Sequence, residues 1–285
     1  MKTIRPFLIA LTLILGFSSC SDSEDDPIII DDNPLSDYVM LTAIVSNTHS
    51  VEIYSEAQQA FTVGYNELFL RIKDESSDTY ISNADISWKP MMHMTEMMHS
   101  CPTSSISVTE NASVYKGYAV FQMPGNSEEY WEMEVEFTID GQSYYVSEHI
   151  EVTAPTDGNQ RVSVFMGSDE TRYVLAMMPL EPEVAVNDIA AMLFKMENMI
   201  SFPIVENYRV NIDPRMPGMG NHSSPNNEPL VYDAESKSYQ GKLSLTMTGY
   251  WKINMILKNE SSEVIKGEEV TDDNESSSLY FELEF

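Results

Sequence analysis

Short segments that alternate apolar and polar residues recur through most of this chain at roughly ten-residue spacing. They are rich in Val, Ile, Tyr and Phe, as in ELFLRIKD (67–74), WEMEVEFTI (131–139) and YWKINMILK (250–258). Period-two alternation places one face of a strand against a core and the other in solvent. No amphipathic pattern extends over three helical turns. The sequence therefore predicts an all-β fold built from antiparallel β-sandwiches.

The chain also contains an internal repeat, in which two methionine-containing loops align at one offset. WKPMMHMTEMMHS (88–100) lies over IDPRMPGMGNHSS (212–224) without a gap, an offset of 124 residues. Three pairs of residues come into register, namely Pro90 with Pro214, Met92 with Met216, and Met98 with His222. A repeat of this period predicts two copies of one structural unit.

A second pair of segments extends the repeat. YKGYAVFQMPG (115–125) aligns with YQGKLSLTMTG (239–249), again at an offset of 124 residues. Between the copies, TAPTDGN (153–159) has the proline and the DG dipeptide that are typical of a linker. We therefore predict two tandem β-sandwich domains, residues 37–153, called here the first copy, and residues 154–285, the second copy.

The N-terminus has the pattern of an exported lipoprotein. Lys2 and Arg5 precede an apolar run from Phe7 to Phe17, and small residues follow up to Cys20. This predicts a signal peptide over residues 1–19. The ending LGFSSC resembles a bacterial lipobox, which implies lipidation of the cysteine and durable attachment to a bilayer through its acyl chains.

Residues 20–36 are acidic and punctuated by prolines, which indicates a tether between the anchor and the folded part. The acidic run after the cysteine resembles the surface-export tag of Bacteroidetes-type lipoproteins, although a solvated tether would have the same composition. We expect an outer membrane lipoprotein at the cell surface or on the periplasmic face, with membrane contact through its lipid anchor alone.

The charge of the chain excludes some partners. It has 45 acidic and 16 basic side chains, for a formal net charge of −29. A nucleic-acid partner is excluded because neutralising phosphates takes clustered Lys and Arg. The acidic surface serves solubility, and it can also raise the local concentration of cations.

The loop WKPMMHMTEMMHSCP concentrates soft metal ligands. Thioether sulfur suits Cu(I), imidazole suits copper and zinc, and thiolate suits Cu(I) and zinc. A loop that offers all three therefore favours copper, and Cu(I) in particular. The candidates in the first copy are Met91, Met92, His93, Met94, Met97, Met98, His99 and Cys101. Since the chain has no second cysteine beyond Cys20, this thiol has no partner for a disulfide within the folded part.

The equivalent loop of the second copy is polar and glycine-rich, yet it keeps Met216, Met219 and His222. The alternative reading is that methionines fill gaps in a core, as they do in many proteins with no metal. A loop that served only as core filler would be apolar in both copies. What persists between the copies is the soft-ligand content.

Motifs of enzymes are absent from the sequence. It has no G-x-S-x-G elbow, no P-loop and no H-E-x-x-H, and no pair of carboxylates stands out for acid–base chemistry. We expect a protein that is not an enzyme.

With these motifs, each copy resembles the FixH/YtkA-like domain family of bacterial envelope proteins. The likeness lies in ISNADISWKPMM (81–92) and YKGYAVFQMPG of the first copy, and in ENYRVNIDPRMPGMGNHSSP (206–225) and YQGKLSLTMTGYWKINM (239–255) of the second. It implies an immunoglobulin-like β-sandwich in each copy and a link to copper handling. It also implies metal ligation by Met216, Met219 and His222, with Met247 as a further candidate.

The first copy departs from the family pattern, because Met98 stands where the second copy has His222. The resemblance leaves open whether His93 or His99 supplies the imidazole there. The metal candidates are therefore Met92, His93, Met94, Met98, His99, Cys101, Met216, Met219 and His222.

The sequence thus predicts a copper-binding lipoprotein for carriage, delivery or buffering of the ion, with a copper-receiving envelope protein as a further partner. The alternative is a non-catalytic adhesion or scaffold protein that uses its β-domains to bind a protein or a glycan.

Overall fold

The alternating segments form β-strands in the computed structural model, which describes residues 33–285. The signal peptide, Cys20 and the tether as far as residue 32 lie outside the described residues. Within them there is no α-helix, and no helix is long and apolar enough to span a membrane.

Twelve strands lie in the first copy. They are β1 (Val39–Val45), β2 (His49–Ser55), β3 (Phe61–Thr62), β4 (Gly64–Asp74), β5 (Thr79–Tyr80), β6 (Asp85–His93), β7 (Met98–Ser100), β8 (Ser107–Val108), β9 (Tyr115–Phe121), β10 (Tyr130–Ile139), β11 (Gln142–Ile150) and β12 (Val152–Thr153). One sheet has the order β1-β2-β4-β9-β8, with β5 on β4. A second sheet has the order β11-β10-β6-β7, and β12 pairs with β3.

The second copy contains one ten-stranded sheet. Its strands are β13 (Val162–Met166), β14 (Arg172–Met177), β15 (Val186–Lys195), β16 (Arg209–Met216), β17 (His222–Ser223), β18 (Glu228–Asp233), β19 (Ser238–Ser244), β20 (Tyr250–Lys258), β21 (Val264–Lys266) and β22 (Tyr280–Glu284). The order is β13-β14-β15-β19-β18-β16-β20-β21, with β17 on β16 and β22 on β20. The sheet nearly closes on itself. The all-β, antiparallel prediction is confirmed at this level.

Strict alternation along β10 shows how the sequence builds the core of the first copy. Trp131, Met133, Val135 and Phe137 are at most 2% exposed, while the glutamates between them face outward. Burying each such side chain contributes about 1.5–3 kcal/mol. β20 repeats the pattern in the second copy, where Trp251 has no exposed surface.

Side-chain hydrogen bonds repeat between the copies as well. Asn66 accepts from the backbone N–H of Thr62 and donates to the carbonyls of Thr62 and Gly64. Asn187 makes the same bonds one copy later, with the N–H and carbonyl of Glu183 and the carbonyl of Ala185. Each asparagine thus closes a turn at the start of its strand, β4 or β15.

A tyrosine makes a second repeated contact. The hydroxyl of Tyr115 accepts from the N–H of Ala84 and donates to the carbonyl of Ile81. Tyr239, at the aligned position, accepts from the N–H of Tyr208 and donates to the carbonyl of Val205. The offset of 124 residues therefore relates contacts as well as sequence letters.

The two copies contact each other through an apolar cluster. Tyr65 and Val120 of the first copy pack with Val174, Met192 and Phe194 of the second. Residues 34–285 form one compact unit. The domain boundaries at 153 and 154 stay predictions.

Replacing Asn66 with Ala should lower the free energy of unfolding by about 1–3 kcal/mol, because the peptide groups of the turn lose their partners inside the protein. Urea denaturation checks this. Gln142→Ala, at an exposed strand end, is the control and should change the stability by less than about 0.5 kcal/mol. Equal stabilities of the two variants would contradict the role of Asn66.

Candidate metal site

The first methionine hairpin, β6–β7, places a thioether and an imidazole next to a tryptophan. Met92 pairs with His99 on β7 and with Trp131 on β10. Directly paired residues share a face of the sheet, and here it is the inner face. Met92 and Trp131 have no exposed surface, whereas His99 is half-buried. The ring of His99 meets that of Trp131 edge-on, with centroids 5.6 Å apart.

The orientation of His99 fixes which nitrogen is free. Its Nδ1 lies 2.8 Å from the carbonyl oxygen of Ser100. Because a carbonyl only accepts, Nδ1 carries the proton of the neutral ring. Nε2 therefore keeps its lone pair, which is the usual arrangement of a metal-binding histidine.

The second hairpin, β16–β17, repeats this geometry. Met216 pairs with His222 on β17. Arg215 pairs with Lys252 on β20, so the next step along the ladder brings Met216 opposite Trp251. Met216 is buried and His222 is exposed. The methionine is in the same core cluster as the tryptophan.

Each tryptophan is held by a methionine carbonyl. The indole N–H of Trp131 donates to the carbonyl of Met123, and that of Trp251 donates to the carbonyl of Met247, each at 3.0 Å. Met123 and Met247 are partly buried against the cores of their copies. Both hairpins thus share a Met–His pair, a fixed indole ring and a second methionine near that ring.

Strand pairing decides which residue of the first copy corresponds to His222. Gapless alignment places Met98 there, but His99 is the residue opposite Met92, as His222 is opposite Met216. The hairpin loop is one residue longer in the first copy, 93–98 against 217–221, and this shifts the register. Of the two histidines that the sequence left open, His99 has the equivalent place.

The other candidates of the first hairpin are divided between the two faces of the sheet. His93 and Met98 pair with each other on the outer face. The ring of His93 stacks on Tyr130 at 4.7 Å. Its Nε2 is 2.9 Å from Oε2 of Glu132, at an angle outside that of a hydrogen bond. His93 and Met98 therefore do not meet Met92 and His99 in one site.

The hairpin tips carry exposed methionines. Met94 is half-buried at the start of the first tip, and Met97 and Met98 are about half exposed. Met219 lies in the 3-10 turn Pro217–Met219 of the second tip and is 59% exposed. Arg215 donates to the carbonyl of Asn221 and so holds that tip at its base.

Cys101 lies in the core below the first hairpin. It is 2% exposed, and burial raises the pKa of its thiol well above the usual range. The proton therefore stays on sulfur near neutral pH in the metal-free protein. Among residues 33–285, no three His, Cys, Asp or Glu side chains converge on a metal position.

The tryptophans are the part of the site that sequence reasoning missed. A signal was present, because each copy has a Tyr-Trp dipeptide, 130–131 and 250–251, shortly after its tyrosine–x–glycine strand. The equivalence of Trp131 and Trp251 is visible in the sequence across a four-residue insertion in the first copy, but their position next to the Met–His pairs is not.

Because its thiol is protonated and buried, Cys101 should react with a thiol reagent at least roughly a hundredfold more slowly in the native protein than in urea. Absorbance of the released chromophore measures both rates at pH 8. A native rate close to that in urea would contradict the burial of Cys101. Cys20 is replaced with Ser for this measurement, so that a single thiol is followed.

No family model matches this chain, and no curated protein matches it. Among solved structures, FdeC, an Escherichia coli adhesin, aligns over 78% of this chain and 64% of its own with 13% identity and a TM-score of 0.26. A DUF4785 family protein from Legionella pneumophila aligns over 76% of this chain and 55% of its own with 10% identity and a TM-score of 0.25. The chain therefore spans less than two thirds of either structure.

Proposed function

We propose that this protein binds Cu(I) through its two methionine hairpins and serves in carriage, delivery or buffering of the ion. The observation that supports this is the cross-strand Met–His pair beside a buried tryptophan, which occurs once in each copy. Met92 with His99, and Met216 with His222, are the proposed ligand pairs. The solvent-exposed Met219 is a further ligand of the second pair.

The donor set fits a soft monovalent ion. Thioether sulfur binds Cu(I) without losing a proton, so a methionine-based site tolerates mild acidity. The lone pair on Nε2 of His99 supplies a nitrogen ligand. An indole ring next to these ligands attracts a cation through its electron-rich face, worth about 0.5–2 kcal/mol. With two or three protein ligands and a histidine that is half-buried at His99 and exposed at His222, such a site can pass its ion to a partner.

His93, Met94 and Met98 form a separate set in this proposal. His93 and Met98 share the outer face of the first hairpin, and Met94 begins its tip. They would take an incoming ion before it reaches Met92 and His99. Cys101 lies in the core below the first hairpin and stands apart from these ligands as a further candidate for the first site.

We further propose that each copy is an immunoglobulin-like β-sandwich of the FixH/YtkA-like type. The antiparallel strands of both copies support this, together with the tyrosine contacts that repeat at an offset of 124 residues. We also propose that lipidated Cys20 attaches the chain to the outer membrane, and that an envelope protein receives the copper.

Anaerobic titration with Cu(I) in competition with a chromophoric chelator tests the function. The reduced protein should withdraw up to two equivalents, one for each hairpin. Met92→Leu with His99→Ala should remove one equivalent, and Met216→Leu with His222→Ala should remove the other. Each double variant should weaken its own site by at least roughly a hundredfold, since both proposed strong ligands are lost.

The matched control is Met166→Leu, because Met166 is 57% exposed on β13 and belongs to neither hairpin. It should leave the titration unchanged. If the folded, reduced protein withdraws no Cu(I), or if the double variants bind as the control does, the copper proposal is wrong.

A further inference from the structure

One strand of the second copy is paired on both sides, whereas its counterpart in the first copy is paired on one side. β18 lies between β16 and β19. On one side Arg209 pairs with Val231 and Val210 with Leu230. On the other side Val231 pairs with Gln240 of β19. β18 therefore joins two parts of the sheet and brings it close to closure.

The corresponding strand of the first copy, β8, pairs on one side alone. Ser107 pairs with Lys116, which aligns with Gln240, so Ser107 stands where the second copy has Val231. β8 does not pair with β6. On the side of β6 that faces away from β10, β7 pairs with Met91 to His93. In the part of the chain that the structure describes, residues 85–89 therefore have a free strand edge.

The peptide groups of this edge point outward from the sheet. Ser100 Oγ donates to the carbonyl of Pro90, which shows that this carbonyl faces the β7 side. Since the direction of peptide groups alternates along a strand, those of Ile86 and Trp88 face the same side. Ile86 aligns with Val210, which pairs with Leu230 of β18 in the second copy. Unpaired groups in an extended strand are a template for another strand.

A groove of about 670 Å³ lies beside this edge. Apolar side chains form its floor, namely Ile86, Ile106, Tyr115, Phe137 and Tyr144. Asp85, Glu136 and Tyr145 are at its rim. No Lys or Arg is among the described residues that line it. The groove therefore offers an apolar floor, a negative rim and a free row of backbone donors and acceptors.

We propose that this edge binds an extended peptide of a protein partner by β-strand addition, with an aliphatic side chain in the groove and basic side chains at the rim. The pairing of β16 with β18 supplies the register against β6 alone, because β8 already holds the place beside β9. A residue in the place of Leu230 would pair with Ile86 and point to the floor. The residue after it would lie opposite Asp85, and the residue before it opposite Ser87, which pairs with Glu136. Strand addition supplies affinity through the main chain, and the rim selects for positive charge.

The occupant differs in charge from the strand of the second copy. β18 has the sequence EPLVYD. Its Val231 lies opposite Arg209, which aligns with Asp85 of the first copy. The first copy thus has a negative side chain at the point of the edge where the second copy has a positive one. This inference does not rest on copper binding, because the groove shares no residue with the Met–His pairs.

Synthetic peptides test the proposal directly. The probe is NEPLVYD, residues 227–233, with P229K and V231K and a fluorescent label. Fluorescence anisotropy with the full-length protein in detergent should show saturable binding. The same peptide with P229E and V231E should bind at least roughly tenfold more weakly. N-methylation of the Leu230 amide in the probe should have a similar effect, since it removes a hydrogen bond of the added strand.

A charge reversal in the protein keeps the test independent of folding. Asp85→Arg should weaken binding of the lysine probe and strengthen binding of the glutamate probe. The second copy already has arginine at the aligned position, so the substitution should be compatible with folding. Glu148→Arg makes the same change of charge at an exposed site outside the groove. It should alter the binding of neither probe. The proposal is overturned if Asp85→Arg leaves the preference unchanged or if N-methylation has no effect. It is also overturned if sedimentation shows a dimer that Ile86→Pro dissociates, because the occupant would then be a second copy of this chain.

Discussion

The burial of one tryptophan in each copy is the constraint on which the hairpin geometry depends. Trp131 and Trp251 have no exposed surface, so each indole N–H needs an acceptor inside the protein. Each finds a methionine carbonyl at 3.0 Å. The bond sets the orientation of the ring, and strand pairing then places a methionine against it. The Met–His pair is therefore positioned by a core contact and not by the loop that carries it.

This explains why the two loops differ so much in composition while the pairs stay alike. Loop 93–98 is methionine-rich, and loop 217–221 is polar and glycine-rich. Neither sequence decides where Met92 or Met216 lies, because both residues belong to strands that are paired on both sides. A hairpin tip can change its length and polarity freely as long as the paired residues at its base keep their face.

The sequence was sufficient to predict the all-β fold, because period-two burial is visible in segments such as WEMEVEFTI. The offset of 124 residues also predicted the equivalence of Met92 and Met216, since both lie in paired strands where no residue is inserted. The same offset aligned His222 with Met98 and not with its structural equivalent His99. The reason is that register after a hairpin depends on loop length, and the first loop has one extra residue. Nor does spacing show which face a residue takes near a tip, so His93, His99 and the buried Cys101 looked alike as ligands.

The two copies also show how one β-scaffold can be closed or left open. Closure by β18, Glu228–Asp233, depends on its pairing with β19 along the strand and with β16 at Leu230 and Val231. In the first copy the equivalent stretch is two paired residues, Ser107 and Val108. An open edge exposes peptide groups and apolar surface, which favours aggregation unless charge or a partner covers it. Asp85 and Glu136 repel an acidic second copy of the chain from this edge and admit a basic strand, so the same two carboxylates protect the edge and select what can cover it.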